Sequence, residues 1–140
     1  MANNPQYANN PIFEITQITT ANTARDGTGT MSVVCAGLTA PASAAVGKRI
    51  SRVSVASSGG NTAGVVRFFG TVDGGTTRRL MIEKLIPANT PSTSNTIVRF
   101  EVPELIGLVL PGAISGATSG IFASTNAGET FGIFVESASL

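Results

Sequence analysis

The sequence predicts an all-β fold, an antiparallel, jelly-roll-like β-sandwich of about eight strands with an extended N-terminal arm. Three observations carry that expectation. Short runs rich in Val, Ile, Phe and Thr recur with roughly alternating polarity, clusters of Gly, Asn and Asp separate them, and no stretch carries an apolar stripe of helical period. At 140 residues the chain fits one domain, which buries about two thirds of its unfolded surface without help from a metal or a disulfide.

The runs MSVVCAG (31–37), KRISRVSVAS (48–57), AGVVRFFGTVD (63–73), TTRRLMIEKLI (76–86), NTIVRFEV (95–102), SGIFAST (119–125) and ETFGIFVES (129–137) combine β-branched or aromatic residues with alternation and read as strands. IFEITQITT (12–20) divides into two faces, Ile12, Glu14, Thr16 and Ile18 against Phe13, Ile15, Gln17 and Thr19, and neither wins as the apolar one. It reads as an edge strand. SSGGNTAG, DGG and NAGE are joints, because Gly and Asn reach the positive φ of tight hairpin turns at little steric cost. A hairpin centred on Gly74 and Gly75 places Val66, Phe68, Gly70 and Val72 on one face and Arg67, Thr71 and Asp73 on the other, with Leu80 and Ile82 together on the return. Pro103 and Pro111 cannot donate to a ladder, so strands stop or turn there, and Pro41 and Gly47 confine LTAPASAAVG (38–47) to a loop. The expected core is Val33, Cys35, Val53, Val55, Val66, Phe68, Val72, Leu80, Ile82, Val98, Phe100, Phe122, Phe131, Ile133 and Val135.

Composition excludes several chemistries. Charged residues are 12% of the chain, against about 25% in ordinary domains, so Thr, Ser, Asn, Gly and Ala dress much of the surface. Nine basic and eight acidic residues give a formal net charge of +1. That balance offers no basic stripe for nucleic acid, and low net charge promotes association. No apolar run is long enough to span a membrane, the N-terminus lacks a secretion signal, and synthesis and folding are expected in a cytoplasm. The lone Cys35 forms neither an internal disulfide nor a Cys-only zinc site, and reads as a small buried hydrophobe. With no histidine, the hydrolase arrangements that use an imidazole base and the His-containing zinc sites are absent. The acids are scattered, and Glu83, Glu101 and Glu136 read as outward strand residues rather than a catalytic pair. RDGTGT (25–30) and VDGGTT (72–77) lack the continuation of a phosphate loop or an EF-hand and read as turns. Arg78 and Arg79 point to opposite faces of a strand, where a salt bridge to Glu101 is the simplest role. The chain is therefore expected to be neither an enzyme nor a holder of any cofactor, metal or small-molecule substrate.

What remains is binding or assembly. Residues 1–11 are an arm and residues 12–140 the sandwich domain. Amides that donate and accept hydrogen bonds, prolines that limit the entropy lost on ordering and aromatics able to anchor in a neighbour's pocket suit an arm that lies along another subunit, and a frayed terminus is the equal alternative. The candidate contact residues are Asn3, Asn4, Pro5, Gln6, Tyr7, Asn9, Asn10, Pro11 and Phe13.

QITTANTARDGTGT, GKRISRVSVASSGGNTAGVVRFFGTVDGG and LPGA followed by ASTNAGETFGIFVE together resemble small structural proteins of tailed bacteriophages and prophages, over about residues 15–136. The resemblance implies a virion component, of the class of capsid decoration or cement proteins that sit on heads as trimers of β-sandwich or jelly-roll subunits; it implies no catalytic or ligand residues. The expectation is then a homotrimer on the capsid surface, made in a bacterial host and bound to the major capsid protein through its arm and the loops at one end of the sandwich. The alternative is a tail, baseplate or fibre component, such as a carbohydrate-binding module, although Tyr7 is the only Tyr or Trp that could serve as a sugar platform.

Overall fold

A computed structural model describes residues 10–37, 47–112 and 117–140. Its strands are β1 (Asn10–Ile18), β2 (Ser32–Ala36), β3 (Lys48–Ser57), β4 (Gly64–Thr71), β5 (Arg79–Ile86), β6 (Arg99–Glu101), β7 (Val109–Leu110), β8 (Gly120–Thr125) and β9 (Phe131–Ser139), with one 3₁₀ turn at Pro103–Leu105. They form two antiparallel sheets, one ordered β1-β9-β3-β6 with β7 also on β3, the other β2-β8-β4-β5. β1 pairs with β9, β2 with β8, β3 with β6 and β4 with β5. The chain is thus one long hairpin folded at the β4–β5 turn, its rungs dealt alternately between two sheets, which is the winding of a jelly roll. The expected sandwich is the fold observed, and residues 12–20 do supply an edge strand, although it begins at Asn10 and so takes in Asn10 and Pro11.

The core lies between the sheets. Cys35, Val55, Val66, Phe68 and Ile133 are sealed in it, joined by Ile18, Ile50, Val102, Leu105 and Ile121. Three expected core residues are outside: Val33, Val72 and Val98 are exposed. Each departure has a local cause. A bulge between Val33 and Cys35 breaks the alternation of β2, so that Val34 and Cys35 are both buried while Val33 turns out. Val72 falls one residue beyond β4, and Val98 one residue before the three-residue β6, where no ladder fixes the side-chain direction. Leu80, Ile82 and Phe100 are half-buried, and Phe122, half-buried opposite the exposed Val33 and beneath Arg78, is a fourth expected core residue that faces outward, because it is out of phase with the buried Ile121 and Ala123. The expected loop at 38–47 lies outside the described residues except for Gly47.

Candidate interaction surface

The register of β1 is the feature from which the site follows. Ile12, Glu14, Thr16 and Ile18 face the interior, and Phe13, Ile15 and Gln17 face solvent. Glu14 is held inward by a cation: Lys48, whose side chain is 3% exposed, donates from Nζ to Glu14 Oε2 at 2.6 Å and to the Ala36 carbonyl at 3.0 Å. One lysine from β3 therefore ties the edge strand of its own sheet to the backbone of β2 in the other. The cost is borne on the far face of β1, where Phe13 and Ile15 stand 58% and 59% exposed. A slip of one residue would hide both and expel Glu14.

The outer face of the β1-β9-β3-β6 sheet is built around those side chains. Cross-strand partners put Ile15 beside Phe134, then Ser54 and Glu101, and put Gln17 beside Gly132, then Ala56 and Arg99. The Phe13 and Phe134 rings stack with centroids 6.4 Å apart, and the Arg99 guanidinium lies 4.2 Å from the centre of the Phe134 ring. Gly132 and Ala56 have almost no side chain, and the shallow hollow above them is walled by Ile15, Ile97, Arg99 and Phe134. Charges of both signs border it. Arg52 forks onto Glu101 and reaches Glu136 at 3.8 Å. The hydrogen bond from Arg52 holds the Glu101 carboxyl below the usual carboxylate range.

A second apolar surface lies at an edge of the sandwich, between β5 and β7. At the β1 and β2 edges the sheets are stitched together by Thr16 Oγ1, which donates to the Val33 carbonyl at 3.0 Å, and by Ser32 Oγ, which donates to the Gln17 carbonyl. Between β5 and β7 the sandwich opens instead into a groove of about 440 Å³ lined by Gly70, Met81, Leu108, Leu110, Gly120 and Ile121.

The other polar groups secure the fold. Arg67 and Arg25 both donate to Glu83, at 2.7 and 2.8 Å, and hold its carboxyl below the ordinary range, Arg25 contributing first. Glu83 and Glu101 thus serve in ion pairs on separate sheets. Arg78 does not bridge to Glu101: that carboxylate belongs to Arg52, and Arg78 lies 5.3 Å over the Phe122 ring and donates to the Gly29 carbonyl. RDGTGT and VDGGTT are turns, with Gly27, Gly29, Gly74 and Gly75 at positive φ. Burial, then the neighbouring Glu14, pushes the Cys35 thiol up to about 12. Among the described residues no group of three or more His, Cys, Asp or Glu side chains gathers to hold a metal ion.

Of the candidate contact residues, Asn3, Asn4, Pro5, Gln6, Tyr7 and Asn9 lie outside the described residues. Asn10 and Pro11 belong to β1 opposite Ser139 and Ala138, and Phe13 lies on the outer sheet face against Phe134. Sequence reasoning missed Ile15, Ile97, Arg99 and Phe134. The available signal was the balanced apolarity of the two faces of residues 12–20, with Phe134 out of phase with the buried Phe131, Ile133 and Val135. No family model, curated protein or solved structure matches this chain.

Proposed function

We propose that this protein is a non-catalytic structural subunit of a tailed-phage virion, a homotrimer that decorates the capsid and stabilises it by binding major capsid subunits. The observation that supports the reading is that Asn10, where residues 1–9 join β1, lies at the same end of the sandwich as the groove. Asn10 stands opposite Ser139, Ser139 opposite Lys48, and Lys48 opposite Leu110 of the groove, all in one cross-strand row. Three strand spacings separate Asn10 from Leu110, about 14 Å, whereas the nine residues before Asn10 reach at most ~30 Å when extended. An uncharged, amide-rich arm and an apolar groove can therefore engage the same neighbouring surface. The sparsely charged exterior and the phage-like stretches of sequence support the same assignment. Many weak contacts suffice on such a lattice, because multivalent attachment raises avidity by ~10²-fold or more with no new kind of contact.

The test is occupancy on purified heads. Residues 1–9 are deleted, which leaves all of β1 in place. Retained thermal stability with at least about ten-fold weaker binding to heads is expected. Equal occupancy of the deleted and full chains, or binding of the full chain to tails rather than heads, overturns the reading.

A further inference from the structure

We infer that the outer face of the β1-β9-β3-β6 sheet is the surface through which copies of this chain associate, each presenting Phe13, Ile15, Ile97 and Phe134 to its neighbours. This deepens the assembly reading above, since it supplies the self-contact that the capsid reading leaves unplaced.

Three features select a second copy as the occupant. The first is area. A face of four strands, up to ten residues long, measures about 30 Å by 15 to 20 Å, the same order as the roughly 800 Å² that each partner buries in a standard stable interface. The second is charge. Arg52 and Arg99 share the face with Glu101 and Glu136, so a copy of the same face meets both signs and no net like-charge repulsion arises. Arg99 makes no ion pair among the described residues, leaving its guanidinium available to a neighbour's carboxylate. The third is register. Glu14 is turned inward to Lys48, at the expense of exposing Phe13 and Ile15, and an apolar neighbour recovers the burial those side chains forgo. In the proposed trimer, three such faces converge on the symmetry axis.

Sedimentation velocity of the full chain tests the assignment. Ile15→Arg and Ile97→Arg alter exposed positions on two different strands or their flanks, and Leu85→Arg, exposed on β5 of the other sheet and outside the groove, is the control. The full chain is expected to be oligomeric at micromolar concentration. Each of the two face variants weakens self-association at least about ten-fold, as for an interface hot spot, while keeping the wild-type circular-dichroism spectrum and a cooperative melt, and the control keeps the wild-type mass. A full chain that stays monomeric, or face variants that sediment like the wild type, overturn the inference. Head occupancy is read in parallel. Oligomers that dissociate with Ile15→Arg yet never bind heads refute the capsid reading alone, whereas head binding without any effect of these variants on mass refutes only this assignment.

Discussion

Asp73 shows how one short side chain closes the turn about which the whole hairpin is folded. Its carboxylate accepts hydrogen bonds from the Thr77 N–H at 2.9 and 3.0 Å and from Thr71 Oγ1 at 2.7 Å, while Gly74 and Gly75 take the positive φ angles between them. Gly75 has a further constraint, since a Cβ there would lie 2.7 Å from the Phe122 ring. The bond from the Thr77 backbone, then that from Thr71, lowers the Asp73 pKa from 3.8 to about 2. Because the folded value is below the unfolded one, the unfolded chain binds the proton more readily, and the contribution is present above about pH 4 and disappears as pH falls through about 2. Asp73→Asn is therefore expected to lower the melting temperature at neutral pH, with the gap to wild type closing between about pH 4 and pH 2. Thermal melts across that range check it, and a gap independent of pH refutes it. The turn itself was legible in DGG, because only glycines reach those angles without strain. The carboxylate bonds were not, because they depend on where the returning strand brings Thr77.

At the scale of elements, the Lys48–Glu14 pair couples β3, β1 and β2. Lys48→Met removes the cation, leaving Glu14 facing the interior and the Ala36 carbonyl without its donor. Losing one partner of a buried pair costs about 3 to 5 kcal/mol, and since the Glu14 side chain is 28% exposed, about 2 to 3 kcal/mol is expected. Adding Glu14→Leu restores most of it, because two well-packed apolar side chains replace an ion pair at little net cost. Urea denaturation of the two variants measures this, and a double variant as unstable as the single one contradicts it. The same pair explains what the letters concealed. Alternation located β2, β3, β4, β5, β8 and β9 within a few residues, because their inward faces are apolar, and it located β1 as well. It could not orient β1, whose inward face holds a glutamate, nor find the two-residue β7, and the bulges at Val33/Cys35 and Phe68/Phe69 moved side chains across faces that strict period-2 counting keeps fixed. The aromatic outer face went unread for the same reason: its members come from four separate runs, and only the register brings them together.

For the whole molecule, the nested rungs set an order of assembly. The β4–β5 turn closes the shortest loop, whereas the β1–β9 pairing joins Asn10 to Ser139, nearly the full length of the chain. The entropy of closing a loop rises with its length, so the inner rung is reached first and the outer rung last. Folds dominated by such distant pairings fold in milliseconds to seconds, and that is the range expected here. The order also divides mutational effects between the rates. Val66 on β4 and Ile18 on β1 are both sealed in the core, and truncating either to alanine costs about 2 kcal/mol or more, enough for a reliable ratio of kinetic to equilibrium change. Val66→Ala is expected to act mainly by slowing folding, because its contacts form with the inner hairpin, and Ile18→Ala mainly by speeding unfolding, because β1 docks after the barrier. Stopped-flow urea jumps repeated across a range of protein concentrations separate these limbs from any association. If Ile18→Ala slows folding and Val66→Ala does not, the sandwich assembles from its outer rung inward.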